Sequence, residues 1–488
     1  PDPATAADHT WAEPINPPLP YADPQAQPAE TVVQGWLEAV RDGLAEEMRC
    51  DPHIIYLGEG TGERGGTFAH TKGLFEEFGP QRMIDTPICE LGFTGAAIGA
   101  SASGCRAVAD VMMGDFLFEA GSQIALQAAK LRYMSNGQVA VPMIVLAGVG
   151  TIKNAGPHHS GSYYPVWAHC PGLIVAVPST PADAKGLIKT ALRAGDPVIF
   201  LEHKTLFSTK GPVPLGEHFV PFGQARMARQ GSDLTIVSCG LWLHRSLEAA
   251  EQLALQGVSC EVIDLRTVVP LDVETIAASV AKTGHLLVVD EAHAMCGIGA
   301  EIAAVAMEHA FDDLDAPVGR LHTDPVSFPF SPPLEDAVTV NVAKIVAAAR
   351  SVLDGRPPIP RRAVGASHAA VPPQAAPGDD GRRPAPAVAA KPEPQSQAPP
   401  PAPEPAAASA DGVPLTMPNM DLTITEATVV TWLKKVGEPV RSGEAVVEME
   451  TDKAVTQVES PADGTLVEIL AAEGTVVPLG GRLGTIQV

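Results

Sequence analysis

A single lysine, Lys453, stands between Asp452 and Ala454 in "EMETDKAVTQVES", with β-rich sequence on both sides and a long Ala/Pro tract upstream. One reading is a solvated turn lysine. The other is a group carrier, which needs reach more than affinity, and a turn on a flexible tether supplies reach. Glu90, in "DTPICELG", adjoins the apolar, Ala/Gly-rich stretch "GFTGAAIGASASG". Burying an ordinary carboxylate there is costly, so this residue is either a paired interface carboxylate or a functional one. Gly60, Gly62 and Gly65 spell G-x-G-x-x-G after a strand, with Asp85 about 20 residues on, as a dinucleotide fingerprint requires. The segment that follows contains Gly66, Gly73, Gly79 and Pro80, which cannot supply the long helix that holds a pyrophosphate. NAD binding is not expected.

Around these residues the chain is long and acidic. Its 488 residues exceed one ordinary domain, and its net charge of −24 argues against nucleic acid or an anionic membrane as the main partner. A basic docking partner fits better. Seven cysteines, at 50, 89, 105, 170, 239, 260 and 296, show no C-x-x-C spacing. They read as reduced thiols, mostly buried, in a cytoplasmic protein. The acidic, Pro-rich start has neither the apolar core of a signal peptide nor the arginines of a mitochondrial presequence, and no apolar run reaches membrane-spanning length.

Residues 1–30 read as a disordered or draped arm. From 31 to 210 the apolar runs "IIYLGEG", "RAVADVMM", "VPMIVLAGVG", "LIVAVPS" and "PVIFLEH" alternate with Ala-rich helical stretches. That pattern predicts an α/β domain with a parallel sheet covered on both faces. It restarts over 215–355 with the strands "DLTIVSCG", "SCEVIDL" and "HLLVVDEAH", and with helices of which one has Gly257 as its C-cap. Residues 356–412 are a Pro/Ala tract that cannot form a core. Fully extended it reaches roughly 170 Å, and as a flexible coil about 40 Å.

Residues 413–488 contain a repeat. Gly437, Val440, Gly443 and Val446 recur 37 positions later as Gly474, Val477, Gly480 and Leu483, while Trp432 and Met449 meet Ile469 and Ile486. Two similar strand–turn–strand halves predict a flattened all-β barrel with pseudo-twofold symmetry. Lys453 falls in the connection between the halves.

The motif "ETDKA" in such a module resembles the lipoylation site of 2-oxo acid dehydrogenase complexes. A biotin carrier would show Met on both sides of the lysine, where this chain has Asp452 and Ala454. The segments "RMIDTPICELGFTGAAIGASASG", "RAVADVMMGDFLFEAGSQIALQAAKLRYMSNGQ", "GPHHSGS" and "VVDEAHAMCGIGAEI" resemble the β subunit of the thiamin-diphosphate-dependent decarboxylating component of the same complexes. The resemblance spans about residues 31–355. It implies two parallel-sheet, transketolase-like α/β domains, a pyrimidine-binding one and a C-terminal one, ahead of the lipoyl domain.

Site residues follow from the resemblance. Glu90 matches the glutamate that bonds the cofactor's aminopyrimidine ring and so makes its exocyclic amine a base. Phe116 matches the aromatic residue packed on that ring, with plain core and neighbouring Phe118 as alternatives. His159 matches an active-site histidine, and Glu59 an acidic residue near a buried interface. Lys453 is the implied lipoate attachment site. No G-D-G segment with a downstream Asn, the family's Mg²⁺–diphosphate site, occurs in this sequence. The resemblance therefore implies half an active site, with Mg²⁺ and the diphosphate held by an α subunit in a two-alpha, two-beta heterotetramer. Further implied partners are acyltransferase and dihydrolipoyl dehydrogenase components and a lipoylating enzyme. The implied reaction is decarboxylation of a 2-oxo acid, of pyruvate or branched-chain type, with reductive acylation of lipoamide. An acetoin dehydrogenase β subunit and a non-catalytic lipoyl carrier or scaffold are the alternatives.

Overall fold

The computed structural model describes residues 3–21, 23, 30–152, 154–356, 413–417, 426–450, 455–478 and 480–487. The chain divides into two compact units, Pro1–Val364 and Gly365–Val488.

The first unit begins with strands β1 (Thr31–Gly35), β2 (Ile54–Gly58), β3 (Met83–Asp85), β4 (Arg106–Met113), β5 (Met143–Val149), β6 (Ile174–Ala176), β7 (Val198–His203) and β8 (Lys210–Pro214). Its second half contributes β9 (Arg226–Arg229), β10 (Leu234–Ser238), β11 (Cys260–Asp264), β12 (Thr267–Val269), β13 (Leu286–His293) and β14 (Gly319–Thr323). A seven-stranded sheet runs β12-β6-β7-β5-β4-β2-β3, and all its pairs are parallel except β12 with β6. A five-stranded sheet runs β14-β13-β10-β11-β9, with only β9 antiparallel. Every residue of β5 and β7 is buried, as covering on both faces demands.

The five apolar runs of the first half are five of these strands, and helices stand where the Ala-rich periodicity predicts them. The helix Leu241–Ala254 ends three residues before the expected glycine. Gly257 takes φ +82° and donates to the Ala254 carbonyl, while Val258 donates to that of Leu253, so the last carbonyls are satisfied by a turn of left-handed backbone. Asp272 and Asn341 cap the helices Val273–Thr283 and Val342–Leu353 by accepting from Thr275 and Lys344 N–H.

One feature crosses between the halves. Strand β12 belongs to the second by sequence, yet pairs with β6 at the edge of the first half's sheet. Polar ties accompany it: Ser179 Oγ donates to Asp264 (2.6 Å), and Arg226 and Arg266 pair with Asp183 (3.7 and 3.2 Å).

The arm is draped over the unit along its described residues. Ala12 N–H and Arg132 Nε both donate to the buried Asp196 carboxylate (2.7 and 2.9 Å). Asn16 makes a reciprocal pair with the backbone of Phe222, donating to its carbonyl (2.9 Å) and accepting from its N–H (2.8 Å). Asn16→Ala strands both backbone groups, so it should cost about 1–3 kcal/mol. Equilibrium unfolding checks this, and an unchanged stability would mean the arm is held elsewhere.

The second unit has strands β15 (Val413–Thr416), β16 (Glu426–Trp432), β17 (Pro439–Val440), β18 (Ala445–Glu450), β19 (Val455–Glu459), β20 (Gly464–Ile469), β21 (Val476–Pro478) and β22 (Arg482–Gln487). They form two antiparallel four-stranded sheets, β15-β22-β20-β17 and β19-β18-β16-β21. Exchanging β16 with β20, β17 with β21, β18 with β22 and β19 with β15 converts one sheet into the other. This is the symmetry the repeat predicts. The matched glycines share left-handed backbone, with φ +94° and +84° at Gly437 and Gly474. The matched residues Val446 and Leu483, and Met449 and Ile486, are all buried in one core. Lys453 lies outside the described residues. The strands on either side of it, β18 and β19, pair with Glu450 opposite Val455.

Candidate active site

Strands β3, β2, β4 and β5 are neighbours and mutually parallel, so their carboxyl ends share one edge of the sheet, where open α/β folds place their ligands. Glu59 directly follows β2, and Glu90 follows β3 as the first residue of the helix Glu90–Ala102. Phe116 lies in the 3₁₀ turn Gly114–Phe118 after β4, and His159 in the loop after β5.

Two of these side chains meet. The rings of Phe116 and His159 are 5.5 Å apart and edge to face at 73°, a favourable aromatic geometry. Phe118 turns away, half exposed, and packs on Tyr163 and Trp167. Glu59 is half-buried.

Glu90 is also half-buried, whereas its apolar surroundings in sequence point to a buried carboxyl. The difference arises because it begins its helix at the rim of the sheet, and the apolar residues behind it divide between two faces. Phe93, Thr94, Ala97, Ile98 and Ser101 turn inward, while Leu91, Gly92, Ala96 and Gly99 are exposed. An acidic side chain in a first helical turn is favourably placed against the helix dipole. The Glu90 carboxylate makes no hydrogen bond or ion pair with another described residue.

Residues that the sequence did not single out hold the histidine loop. Gly161 donates its N–H to Asp115 (3.1 Å), the neighbour of Phe116, and a Cβ at Gly161 would lie 1.9 Å from the Tyr163 ring. Burial raises the pKa of the Asp115 carboxyl, although the Gly161 N–H and the charges of Lys204 and His159 draw it down. Lys204 is buried with its ammonium 3.3 Å from the Gly148 carbonyl. Desolvation lowers it to about 8 against the pull of Glu291 and Asp115. Glu291, inside β13, was legible in one respect: a carboxylate in the run "LLVVDEAH" must find partners if that run is a buried strand. Ser160 Oγ, next to His159, is buried without a hydrogen-bond partner among the described residues.

The glycines at 60, 62 and 65 use backbone polar groups within their own loop and on the end of β3. Gly65 N–H donates to Gly62 C=O, Gly66 N–H to Gly60 C=O, and Gly62 N–H to Asp85 (2.7 Å). The helix that follows, Leu74–Phe78, is five residues long. No helix among the described residues is long and apolar enough to cross a membrane.

Comparison with known proteins agrees with this arrangement. Residues 33–210 match the transketolase pyrimidine binding domain, residues 223–345 the transketolase C-terminal domain, and residues 413–486 the biotin/lipoyl family described as biotin-requiring enzyme. The chain is 44% identical to the β subunit of acetoin:2,6-dichlorophenolindophenol oxidoreductase of Cupriavidus necator, over 65% of this chain and 96% of that one. It is 41% identical to the 2-oxoisovalerate dehydrogenase β subunit of Bacillus subtilis, over 66% of this chain and 99% of that one. The pyruvate dehydrogenase E1 component β subunit of Rickettsia felis is also 41% identical, over 64% and 97%. Among solved structures, a split gene transketolase, an inactive beta4 tetramer, has a similar fold, with TM-score 0.54 and 23% identity over 66% of this chain and 99% of that one. With matched domains in this order and nearly full-length relatives at this identity, the chain belongs to the β-subunit family of the thiamin-diphosphate-dependent 2-oxo acid and acetoin dehydrogenases, and it ends in a domain of the biotin/lipoyl attachment family.

Proposed function

We propose that this chain is the β subunit of a 2-oxo acid dehydrogenase, of pyruvate or branched-chain type, that carries its own lipoyl arm on Lys453. The observation that carries the reading is the placement of Glu90, unpaired among the described residues, at the same sheet edge as the Phe116–His159 pair. These groups fit the pyrimidine half of thiamin diphosphate. A carboxyl without an internal partner suits a ring nitrogen, and an aromatic edge suits the ring face. When bound, the cofactor supplies the nucleophilic carbon that attacks the substrate carbonyl and holds the electrons left by CO₂.

The chain's own residues do the rest. Glu90 holds a proton at the ring nitrogen and thereby makes the neighbouring amine basic. Phe116 fixes the plane of the ring. His159, held against Phe116, presents an imidazole to the reacting side, where it orients substrate and moves a proton. Glu59 lines the same edge. Lys453, as a lipoyl-lysine, takes up the acyl group and carries it to a separate acyltransferase, and a dihydrolipoyl dehydrogenase reoxidises the arm.

The diphosphate and its Mg²⁺ are assigned to a separate α subunit, in a two-alpha, two-beta heterotetramer working in the cytoplasm. The exposed face of the helix Glu90–Ala102 supports this. Ile88 is 74% exposed, Leu91 is also exposed, and the small residues beside them would let another chain approach closely.

The identity to the Cupriavidus necator subunit favours a second reading, an acetoin dehydrogenase β subunit. The experiment is reconstitution with the α subunit from the same cells. Turnover is then measured with pyruvate, branched-chain 2-oxo acids and acetoin, using an artificial electron acceptor. Turnover of a 2-oxo acid supports the first reading, and turnover of acetoin alone replaces it with the second. Inactivity on all three overturns both.

A further inference from the structure

The loop that carries His159 leaves β5 and returns through a stem. Gly150 N–H donates to the Gly161 carbonyl (3.2 Å), a stem that closes a loop whose described residues are 151, 152 and 154–160. Both ends of that loop are gripped by one carboxylate from the other half of the unit. Thr151, just inside the stem, donates to Glu291 Oε1 through its N–H (3.2 Å) and its hydroxyl (3.1 Å). Ser162, just outside it, donates to Oε2 (2.7 Å), and His203 Nε2 lies 3.1 Å from the same oxygen.

Glu291 is buried on β13, in the five-stranded sheet, whereas Thr151 and Ser162 lie in the loop after β5 and His203 ends β7, in the half built on the seven-stranded sheet. The fit leaves no slack. Gly150 takes φ +81°, and a Cβ there would stand 2.1 Å from His203 Nε2 and 2.5 Å from Glu291 Oε2. Burial alone would raise the carboxyl's pKa. The charge and hydrogen bond of His203, with the hydrogen bonds of the Ser162 hydroxyl and the Thr151 N–H, more than reverse this and hold it at about 2. The acceptor is therefore ionised throughout the neutral range.

We propose that Glu291 is a positioning residue for His159, clasping both ends of its loop so that the imidazole stays against Phe116. It touches neither substrate nor cofactor and acts through Thr151 and Ser162. The reason for such a device is geometric, since displacing a reacting group by about 1 Å costs roughly 100-fold in rate. The inference rests on the reading of His159 as an active-site group.

The test compares wild-type, Glu291→Gln and Ser162→Ala complexes with the α subunit, by hydrogen-exchange mass spectrometry without substrate and by steady-state kinetics. Gln turns one acceptor of the clasp into a donor facing donors. Peptides covering 150–162 are expected to exchange at least about 10-fold faster in Glu291→Gln, and about 3-fold faster in Ser162→Ala, with β10 unchanged. Turnover kcat is expected to fall by roughly 10-fold or more while KM stays within about 2-fold. Unchanged exchange at 150–162 in both variants overturns the proposal, and so does faster exchange spread evenly over both halves. If Glu291→Gln does not fold, Ser162→Ala, which removes a single hydroxyl, decides the matter. A wild-type complex with no turnover would overturn the functional reading instead, and exchange would still judge the clasp.

Discussion

In a complex with its α subunit, Glu90→Gln is expected to lower turnover by roughly 10²- to 10⁴-fold, the range that a positioned acid–base group supplies. In the role proposed for Glu90, an amide matches the carboxyl in size and can still donate a hydrogen bond, but it cannot give up a proton to a ring nitrogen, so the exocyclic amine would not be made basic. The structure makes this substitution diagnostic. Glu90 is half exposed at the start of its helix and bonds no other described residue, so its charge serves the fold only through the helix dipole. Folding stability should therefore fall by no more than about 1 kcal/mol. Steady-state kinetics and a thermal melt on the same preparation separate the two effects. Full turnover in the Gln variant would make the α/β unit a scaffold for the lipoyl arm.

Lys453→Arg is expected to abolish acyl transfer to the acyltransferase and to leave turnover with an artificial electron acceptor intact. Arginine keeps the positive charge and cannot form the amide that attaches lipoate, so the change is confined to the arm. Deleting residues 413–488 should give the same split, because the deleted residues form a unit with its own core. Equal loss of both activities would mean that the module serves the reaction itself or the assembly. Peptide mass spectrometry of protein from its native host provides the companion measurement. An unmodified Lys453, beside other lipoyl proteins that are modified, would turn the module into a docking domain.

Strand and helix positions were legible where period and composition agreed. Runs such as "MIVLAGV" and "VIFLEH" are buried throughout, and the repeat in 413–488 announced a two-sheet module related by exchange of strands. Short strands with mixed composition, β1, β3, β8 and β12 among them, carry too few residues for a period to show. The candidate site was legible only where a motif carried it. Glu90, Phe116 and His159 could be numbered in advance, but the 5.5 Å approach of the last two depends on a loop whose stem is fixed from another sheet. Asp115 and Glu291 had no spacing that ties them to residue 159, being 44 positions before it and 132 after. Contacts that distant in sequence are set by topology, and a one-dimensional pattern does not contain them.

The antiparallel strand β12 bears on how the chain is made. On the ribosome, synthesis runs past the end of β7 well before Thr267–Val269 emerges, and until then β6 is an unpaired border able to join a neighbouring nascent chain. The first α/β half cannot seal itself during translation. Release of the second half is what protects it, so a truncation anywhere between residues 215 and 266 should give aggregates instead of a smaller soluble protein.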